Sequence, residues 1–91
     1  MLYWVHKHEQ GGADMEFDYS ELRGRIKTLF GTQDNFAQSM ELGRVSLSQR
    51  LNNILEFTQQ EILCACILLN EPMERIPALF FTLKVQKHEL N

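Results

Sequence analysis

The chain has 91 residues, of which 44% are hydrophobic and 23% charged, and its formal net charge at pH 7 is −3. This length suits one small domain, and the composition is ordinary for a globular protein. No stretch reaches the roughly 20 apolar residues that a membrane span requires, and the first residues lack the apolar core of a signal peptide. Two cysteines without an export signal favour reduced thiols in a cytoplasm.

Residues 1–14 are predicted to lie outside the folded domain, either as a disordered arm or as an extension from a mis-assigned start codon. The codons for Gln10, Gly11 and Gly12 can spell a purine-rich sequence like a ribosome-binding site, and Met15 follows three residues after Gly12. Met15 is then the expected natural start. An authentic flexible arm anchored by Trp4 is the alternative, and the N-terminal peptide mass of the native protein distinguishes the two.

The first helix is predicted over about residues 19–30, with Asp18 as its N-cap and Gly31 as the residue that ends it. Its expected buried stripe, with helical spacing, comprises Leu22, Ile26, Leu29 and Phe30. Gly24 lies in the helix interior, where glycine costs about 1 kcal/mol relative to alanine. We therefore interpret Gly24 as the site of a close packing contact.

Residues 32–53 read as two short helices joined by a tight turn, the first over about residues 33–40 and the second over about 44–51. Apolar residues three or four positions apart give each helix one buried face: Phe36, Ala37 and Met40 on the first, Leu47 and Leu51 on the second. The second helix is predicted to expose a polar surface suited to reading base edges, formed by Arg44, Val45, Ser46, Gln49 and Arg50.

The charge distribution favours this segment as a nucleic-acid contact. A net charge of −3 argues against nucleic-acid binding, for which basic domains are typical. Residues 20–53, however, contain five basic and three acidic residues, so this segment carries +2 and the rest of the chain −5. Local charge matters more than net charge for a binding face.

A further helix is predicted over about residues 59–69, opened by the capping-box pattern of Thr58 and Glu61. It is apolar almost all round, which is typical of a helix buried in the centre of a bundle. Cys64 and Cys66 lie on different sides of this helix, so we interpret both as small core residues and expect no metal site.

The last part of the fold is predicted as short helical turns interrupted by Pro72 and Pro77. Three large apolar residues follow, Leu79, Phe80 and Phe81, which either close the core or expose a possible dimer interface. Residues 84–91 are expected to form a polar tail.

The order of helices resembles the helix-turn-helix domain of phage Cro and C1-type repressor proteins. The residues that carry this resemblance are Gln33, Ala37, Leu42, Leu47, Leu51 and Asn52. Three phrases, D-Y-S-E-L-R-G-R-I from Asp18, F-G-T-Q from Phe30 and E-F-T-Q-Q-E-I from Glu56, are similar to a family of short, poorly characterised prophage proteins of Gram-positive bacteria. The resemblance implies an all-α, five-helix, lambda-repressor-like DNA-binding domain, which we expect to span residues 15–83.

By position, the resemblance implies base reading by Arg44, Val45, Ser46 and Gln49, and phosphate contacts by Gln33, Arg50 and Asn52. Arginine can hold guanine through O6 and N7, glutamine can pair with adenine, and valine can contact a thymine methyl group. Two positions depart from the family pattern, because Glu41 and Asn53 stand where glycine is expected. We expect positive φ angles there, at a cost of about 1–2 kcal/mol for a residue such as Glu41.

The resulting functional hypothesis is a sequence-specific transcriptional regulator, Cro-like or a minimal repressor, acting in the bacterial cytoplasm at the nucleoid. Its expected partner is a palindromic double-stranded operator bound by a homodimer, with half-sites about one helical turn apart. A protein-binding adapter or an antitoxin that retains the fold is the alternative. An enzyme, a cofactor and a small-molecule substrate are not expected, because the sequence has neither a glycine-rich phosphate loop nor paired carboxylates in an apolar setting.

Overall fold

Five α-helices and one 3₁₀ turn form the regular structure in the computed structural model, which describes residues 15–84. In chain order they are α1 (Ser20–Phe30), α2 (Gln33–Ser39), α3 (Arg44–Leu51), α4 (Gln59–Leu68), the 3₁₀ turn Met73–Arg75 and α5 (Ile76–Phe80). The all-α, five-helix fold class is thereby confirmed. None of the helices in the described range combines the length and the apolar character that crossing a bilayer requires. The predictions for residues 1–14 and 85–91 lie outside the described residues.

Polar side chains accept backbone N–H groups at the start of three helices. α1 starts at Ser20, and Tyr19 rather than Asp18 occupies its N-cap position. The Asp18 carboxylate nevertheless accepts the backbone N–H of Ser20 at 2.9 Å, and the hydrogen bonds from Ser20 lower the pKa of this exposed carboxyl. Thr32 Oγ1 caps α2 by accepting a backbone N–H at 3.1 Å. The predicted capping box of α4 is also confirmed, since the Thr58 hydroxyl and the Glu61 carboxylate accept each other's backbone N–H.

Three helices end with the same backbone motif, in which a residue of positive φ follows the C-cap. The residues are Glu41 (φ 60°) after α2, Asn53 (φ 65°) after α3 and Asn70 (φ 55°) after α4. In each case two backbone N–H groups turn back to carbonyl groups of the last helical turn, as in a Schellman motif. The positive φ angles predicted for Glu41 and Asn53 are confirmed.

Asn53 also holds the segment that leads into α1. Its side-chain amide donates to the Phe17 carbonyl at 3.0 Å and accepts the Phe17 N–H at 2.8 Å. Phe17 in turn lies opposite Leu83 in an isolated antiparallel bridge. Asparagine at this position therefore tolerates the left-handed backbone and supplies two hydrogen bonds that glycine would lack.

One hydrophobic core joins all five helices. Its buried residues are Tyr19, Leu22, Ile26, Phe36, Ala37, Met40, Leu47, Leu51, Ala65, Cys66, Leu69, Leu79 and Phe80. Leu29, predicted in the buried stripe of α1, is instead 46% exposed. Leu79 and Phe80 are core residues and offer no surface to a second chain, which corrects their assignment to a dimer interface; Phe81 is 51% exposed.

Pro77 is the second residue of α5 and does not interrupt the chain. It lies in the first turn of the helix, where a backbone N–H has no intrahelical partner, so the missing donor of proline costs nothing. The short helix can then insert Leu79 and Phe80 into the core.

The prediction that α4 is buried on all sides is wrong. Ala65 and Cys66 are its buried residues, whereas Leu63 and Ile67 are 43% and 78% exposed. A domain of this size packs one face of α4 against the other helices and has no further layer to cover the opposite face. Burial, together with the nearby charge of Glu71, raises the pKa of the Cys66 thiol.

Gly24 makes no close packing contact, contrary to expectation. It is exposed in the middle of α1, and a Cβ atom built there meets nothing within 4 Å. Replacing Gly24 with alanine is therefore expected to raise the free energy of unfolding by roughly 0.5–1 kcal/mol, because alanine has the higher helix propensity and restricts the unfolded chain. Urea denaturation of the two proteins measures this difference, and a less stable variant would contradict the exposed position.

Candidate functional site

The turn between α2 and α3 is held by backbone hydrogen bonds and one apolar contact. The Leu42 N–H donates to the Ala37 carbonyl at 2.9 Å, and the Glu41 N–H donates to the Gln38 carbonyl at 3.0 Å. The Leu42 side chain packs half-buried against the core. The two helices are thus fixed relative to each other by a closed turn, which gives α3 a defined orientation on the domain surface.

An open groove lies where the N-terminus of α2 meets the exposed face of α3. Its lining residues are Gln33, Asp34, Arg44, Val45, Ser48, Gln49 and Ile54. The four residues from α3 have helical spacings of one and four positions, so they share one face. Val45 and Ile54 are 65% and 67% exposed, which leaves two apolar side chains at the surface among polar ones.

Four of the predicted contact residues come together in this groove. Arg44, Val45 and Gln49 come from the predicted base-reading set, and Gln33 comes from the predicted phosphate-contacting set. Ser48 lines the groove as well, although the sequence analysis did not select it. Helical spacing could have predicted this position, because Ser48 is four residues after Arg44 and therefore on the same face of α3.

Ser46 and Arg50 lie on a different flank of α3 and are not part of the groove. The Arg50 guanidinium donates through Nε to Glu61 Oε1 at 2.9 Å, and through Nη1 to the Ser46 carbonyl at 2.9 Å and to Ser46 Oγ at 2.7 Å. The side chains of Arg50 and Glu61 are only 13% and 18% exposed. Arg50 therefore joins α3 to the N-terminus of α4 and does not belong to the outward polar surface of α3, while its predicted phosphate contact stays a prediction.

Asn52 also lies outside the groove, at the C-terminal end of α3. Its Nδ2 donates to the Ser48 carbonyl at 2.9 Å, while its Oδ1 accepts from Arg23 Nη2 at 3.2 Å. Arg23 additionally donates to the Leu51 carbonyl at 3.1 Å. These bonds fasten the end of α3 to α1 and satisfy a carbonyl group that the helix itself leaves open.

The groove carries almost no net charge, because its lining contains one cation and one carboxylate. Arg44 Nη2 lies 3.6 Å from Asp34 Oδ2, and the two side chains are 77% and 56% exposed. Such a solvent-exposed pair is weak, contributing about 0–1 kcal/mol, so Arg44 can exchange its partner at little cost. A carboxylate inside the groove nevertheless opposes the approach of a phosphate.

Most of the other cationic side chains form ion pairs within the domain. Residues 15–84 carry seven cationic side chains and nine carboxylates, a formal charge of −2. Besides Arg44 and Arg50, three more cations form ion pairs: Arg25 with Glu71, Arg75 with Glu21 and Glu71, and Lys84 with Glu16. Arg25 Nε lies 2.7 Å from Glu71 Oε2, but its N–H is not directed at the carboxylate, so the contact is an ion pair without a hydrogen bond. In this described range there is no cluster of three or more histidine, cysteine or acidic side chains that could hold a metal ion.

Comparison with known proteins places the chain in a family. The model of a family described as "Protein of unknown function (DUF739)" matches residues 15–83. The chain belongs to this family. A search of curated proteins finds no match.

This DUF739 protein also resembles a protein of known structure. It is similar to the solution structure of the modulator of repression (MOR) of the temperate bacteriophage TP901-1 from Lactococcus lactis. The two share 40% sequence identity with a TM-score of 0.66, and the match covers 77% of this chain and 95% of the other. The predicted relationship to short phage proteins is confirmed to that extent.

Proposed function

We propose that this chain regulates transcription in a phage or prophage by reading duplex DNA with the groove between α2 and α3, as a helix-turn-helix protein of the Cro and C1 repressor type. The observation that carries the proposal is the convergence of Gln33, Arg44, Val45 and Gln49 on one open surface. Their chemistry matches base edges: arginine with guanine, glutamine with adenine and valine with the thymine methyl group. Gln33 at the start of α2 then contacts the backbone beside the groove.

The proposed target is a palindromic operator bound by a homodimer. One copy presents only three or four side chains to base edges, which reads a short half-site. A two-fold dimer doubles that sequence and sets the half-sites about one helical turn apart. The proposal therefore assigns a Cro-like or minimal repressor role to the chain and places it at the bacterial nucleoid.

The test is an in vitro selection of bound duplexes with the full chain, followed by affinity measurements on the selected operator and on random DNA. Replacing Arg44 and Gln49 together with alanine is expected to reduce the discrimination between the two DNAs by about 30-fold or more, since each good base contact contributes roughly 1–3 kcal/mol. Gln38→Ala is the matched control, because Gln38 is an exposed glutamine of α2 outside the groove lining. Discrimination that survives the double substitution would refute the assignment of these residues.

A protein component of the repression system is the second candidate target, and a specific observation favours it. Five of the seven cations in residues 15–84 are already paired with carboxylates, and the groove combines a neutral ion pair with exposed Val45 and Ile54. The centre of a protein interface is typically apolar and poor in charged residues, with a polar rim, whereas DNA binding depends on cations that neutralise phosphates.

Salt titration separates the two candidates. Operator binding that uses Lys and Arg to neutralise phosphates falls steeply with salt, with a slope of about −0.9 for each phosphate neutralised. A protein target leaves the chain with weak, non-selective DNA affinity at moderate salt. In that case Arg44→Ala and Val45→Ala would instead weaken the complex with that protein component of the repression system.

A further inference from the structure

The groove between α2 and α3 contains a carboxylate that base reading by its neighbours does not use. Asp34 lines the groove together with Arg44, and Asp34 Oδ2 lies 3.6 Å from Arg44 Nη2. The N-cap of α2 does not depend on Asp34, because the Thr32 hydroxyl accepts the Asn35 N–H there. The pair also contributes little to stability, since both of its side chains are exposed to solvent. The carboxylate is therefore available to act on whatever enters the groove.

The spacing of the pair leaves the Arg44 guanidinium free to donate. A distance of 3.6 Å is longer than a hydrogen bond, so the attraction is electrostatic and does not fix any of the N–H donors of the arginine. The carboxylate places a negative charge beside those donors. An acceptor that approaches Arg44 within the groove consequently meets the charge of Asp34 as well.

Duplex DNA offers an arginine two kinds of acceptor, and a neighbouring carboxylate affects them differently. A phosphate carries a full negative charge and is repelled, whereas O6 and N7 of guanine are uncharged acceptors. Phosphates occur along every sequence, so an arginine that binds them adds affinity without selectivity. A carboxylate beside the arginine thus penalises the contact that carries no sequence information and permits the contact with a base.

We propose that Asp34 is a specificity-determining residue, which keeps Arg44 away from phosphates and reserves it for an uncharged acceptor such as the guanine edge. The assignment of guanine rests on the proposed function, whereas the exclusion of phosphate depends only on the geometry of the pair. Among the described residues, Arg44 is the one cation that lines this groove. The acceptor that Arg44 selects therefore has a large effect on how strongly the groove attracts DNA of any sequence.

The first test compares the full wild-type chain with Asp34→Asn, which removes the charge and keeps the size of the side chain. Its affinity for a random duplex is expected to rise about fivefold to tenfold, and its salt slope to steepen by about 0.9, because Arg44 then neutralises one more phosphate. Its affinity for an operator obtained by in vitro selection is expected to change by less than about threefold, because the contact with the base remains. The discrimination between the two DNAs therefore falls.

Two controls show whether the carboxylate acts through Arg44. Glu74→Gln changes the net charge by the same amount, and Glu74 is an exposed carboxylate outside the groove lining. This variant is expected to change the affinity for the random duplex by less than about twofold and to keep the wild-type salt slope. When Asp34→Asn is introduced into Arg44→Ala, the gain in affinity and the steeper slope are both expected to vanish. Circular dichroism melts check that each variant is folded.

The outcomes keep a failure of this inference distinguishable from a failure of the proposed function. An Asp34→Asn variant with the wild-type slope and the wild-type affinity for the random duplex would overturn the inference. An equal gain in Glu74→Gln, or in the Arg44→Ala background, would overturn it too. A wild-type chain that binds every duplex alike would refute the proposed function, and a steeper slope of Asp34→Asn on random DNA would then still support the exclusion of phosphate by Asp34.

Discussion

Replacing Phe80 with alanine is expected to lower the free energy of unfolding by about 3–5 kcal/mol, as is typical for truncating a buried phenylalanine. Phe80 is 2% exposed, and its ring stands edge-on to Phe57 with centroids 5.2 Å apart. Phe57 in turn meets Tyr19 edge-to-face at 5.5 Å. The substitution therefore removes both the buried area and one end of an aromatic series that joins α5 to the start of α1.

Denaturant unfolding followed by circular dichroism measures this loss. A domain of this length has a total stability of only about 4–10 kcal/mol, so Phe80→Leu serves as a milder variant that stays folded. Phe81→Ala is the control, because Phe81 is 51% exposed and its ring forms an edge-to-face pair with that of Phe17. We expect it to lose less than about 1.5 kcal/mol. If Phe80→Ala kept its stability but dissociated a dimer, the placement of Phe80 in the core would be wrong.

Replacing Arg50 with alanine is expected to lower the free energy of unfolding by about 2–3 kcal/mol. The substitution leaves the Glu61 carboxylate, 18% exposed, without its cation, and it removes two hydrogen bonds to Ser46. Breaking a fully buried ion pair costs about 3–5 kcal/mol, and partial exposure reduces that figure. Arg44→Ala is the matched control, since its pair with Asp34 is solvent-exposed and contributes about 0–1 kcal/mol.

The salt dependence of DNA binding is a second, independent test of the role of Arg50. A residue that contacts phosphate changes the salt slope of binding by about 1 when it is removed. We expect Arg50→Met, which keeps much of the packing, to leave that slope unchanged at temperatures where the variant is folded. A reduced slope with unchanged stability would show that Arg50 leaves Glu61 to bind DNA.

Much of the local structure could be predicted because the signals act within a few residues. The capping box of Thr58 and Glu61, the apolar spacing of α2 and α3, and the positive φ angles of Glu41 and Asn53 each depend on neighbouring backbone groups. The groove was partly predictable for the same reason, since Arg44, Val45 and Gln49 share a face of α3 by helical spacing alone.

The errors concern residues whose environment is set by a distant part of the chain. Whether Arg50 faces solvent or Glu61 depends on where α4 crosses α3, and a helical stripe does not specify its neighbour. Likewise, Pro77 at the start of α5 turns Leu79 and Phe80 into the core, although an apolar run near the end of a chain also fits an interface.

The sequence by itself therefore determined the helices, their caps and the turn that presents α3, because these follow from short-range hydrogen bonding and apolar periodicity. Only the tertiary structure decided which polar residues remain available for a partner. It placed Ser46 and Arg50 against α4, brought Ser48 into the groove and left Leu63 and Ile67 uncovered. The physical reason is that burial and charge pairing depend on which helices meet, and that is a property of the whole packed domain.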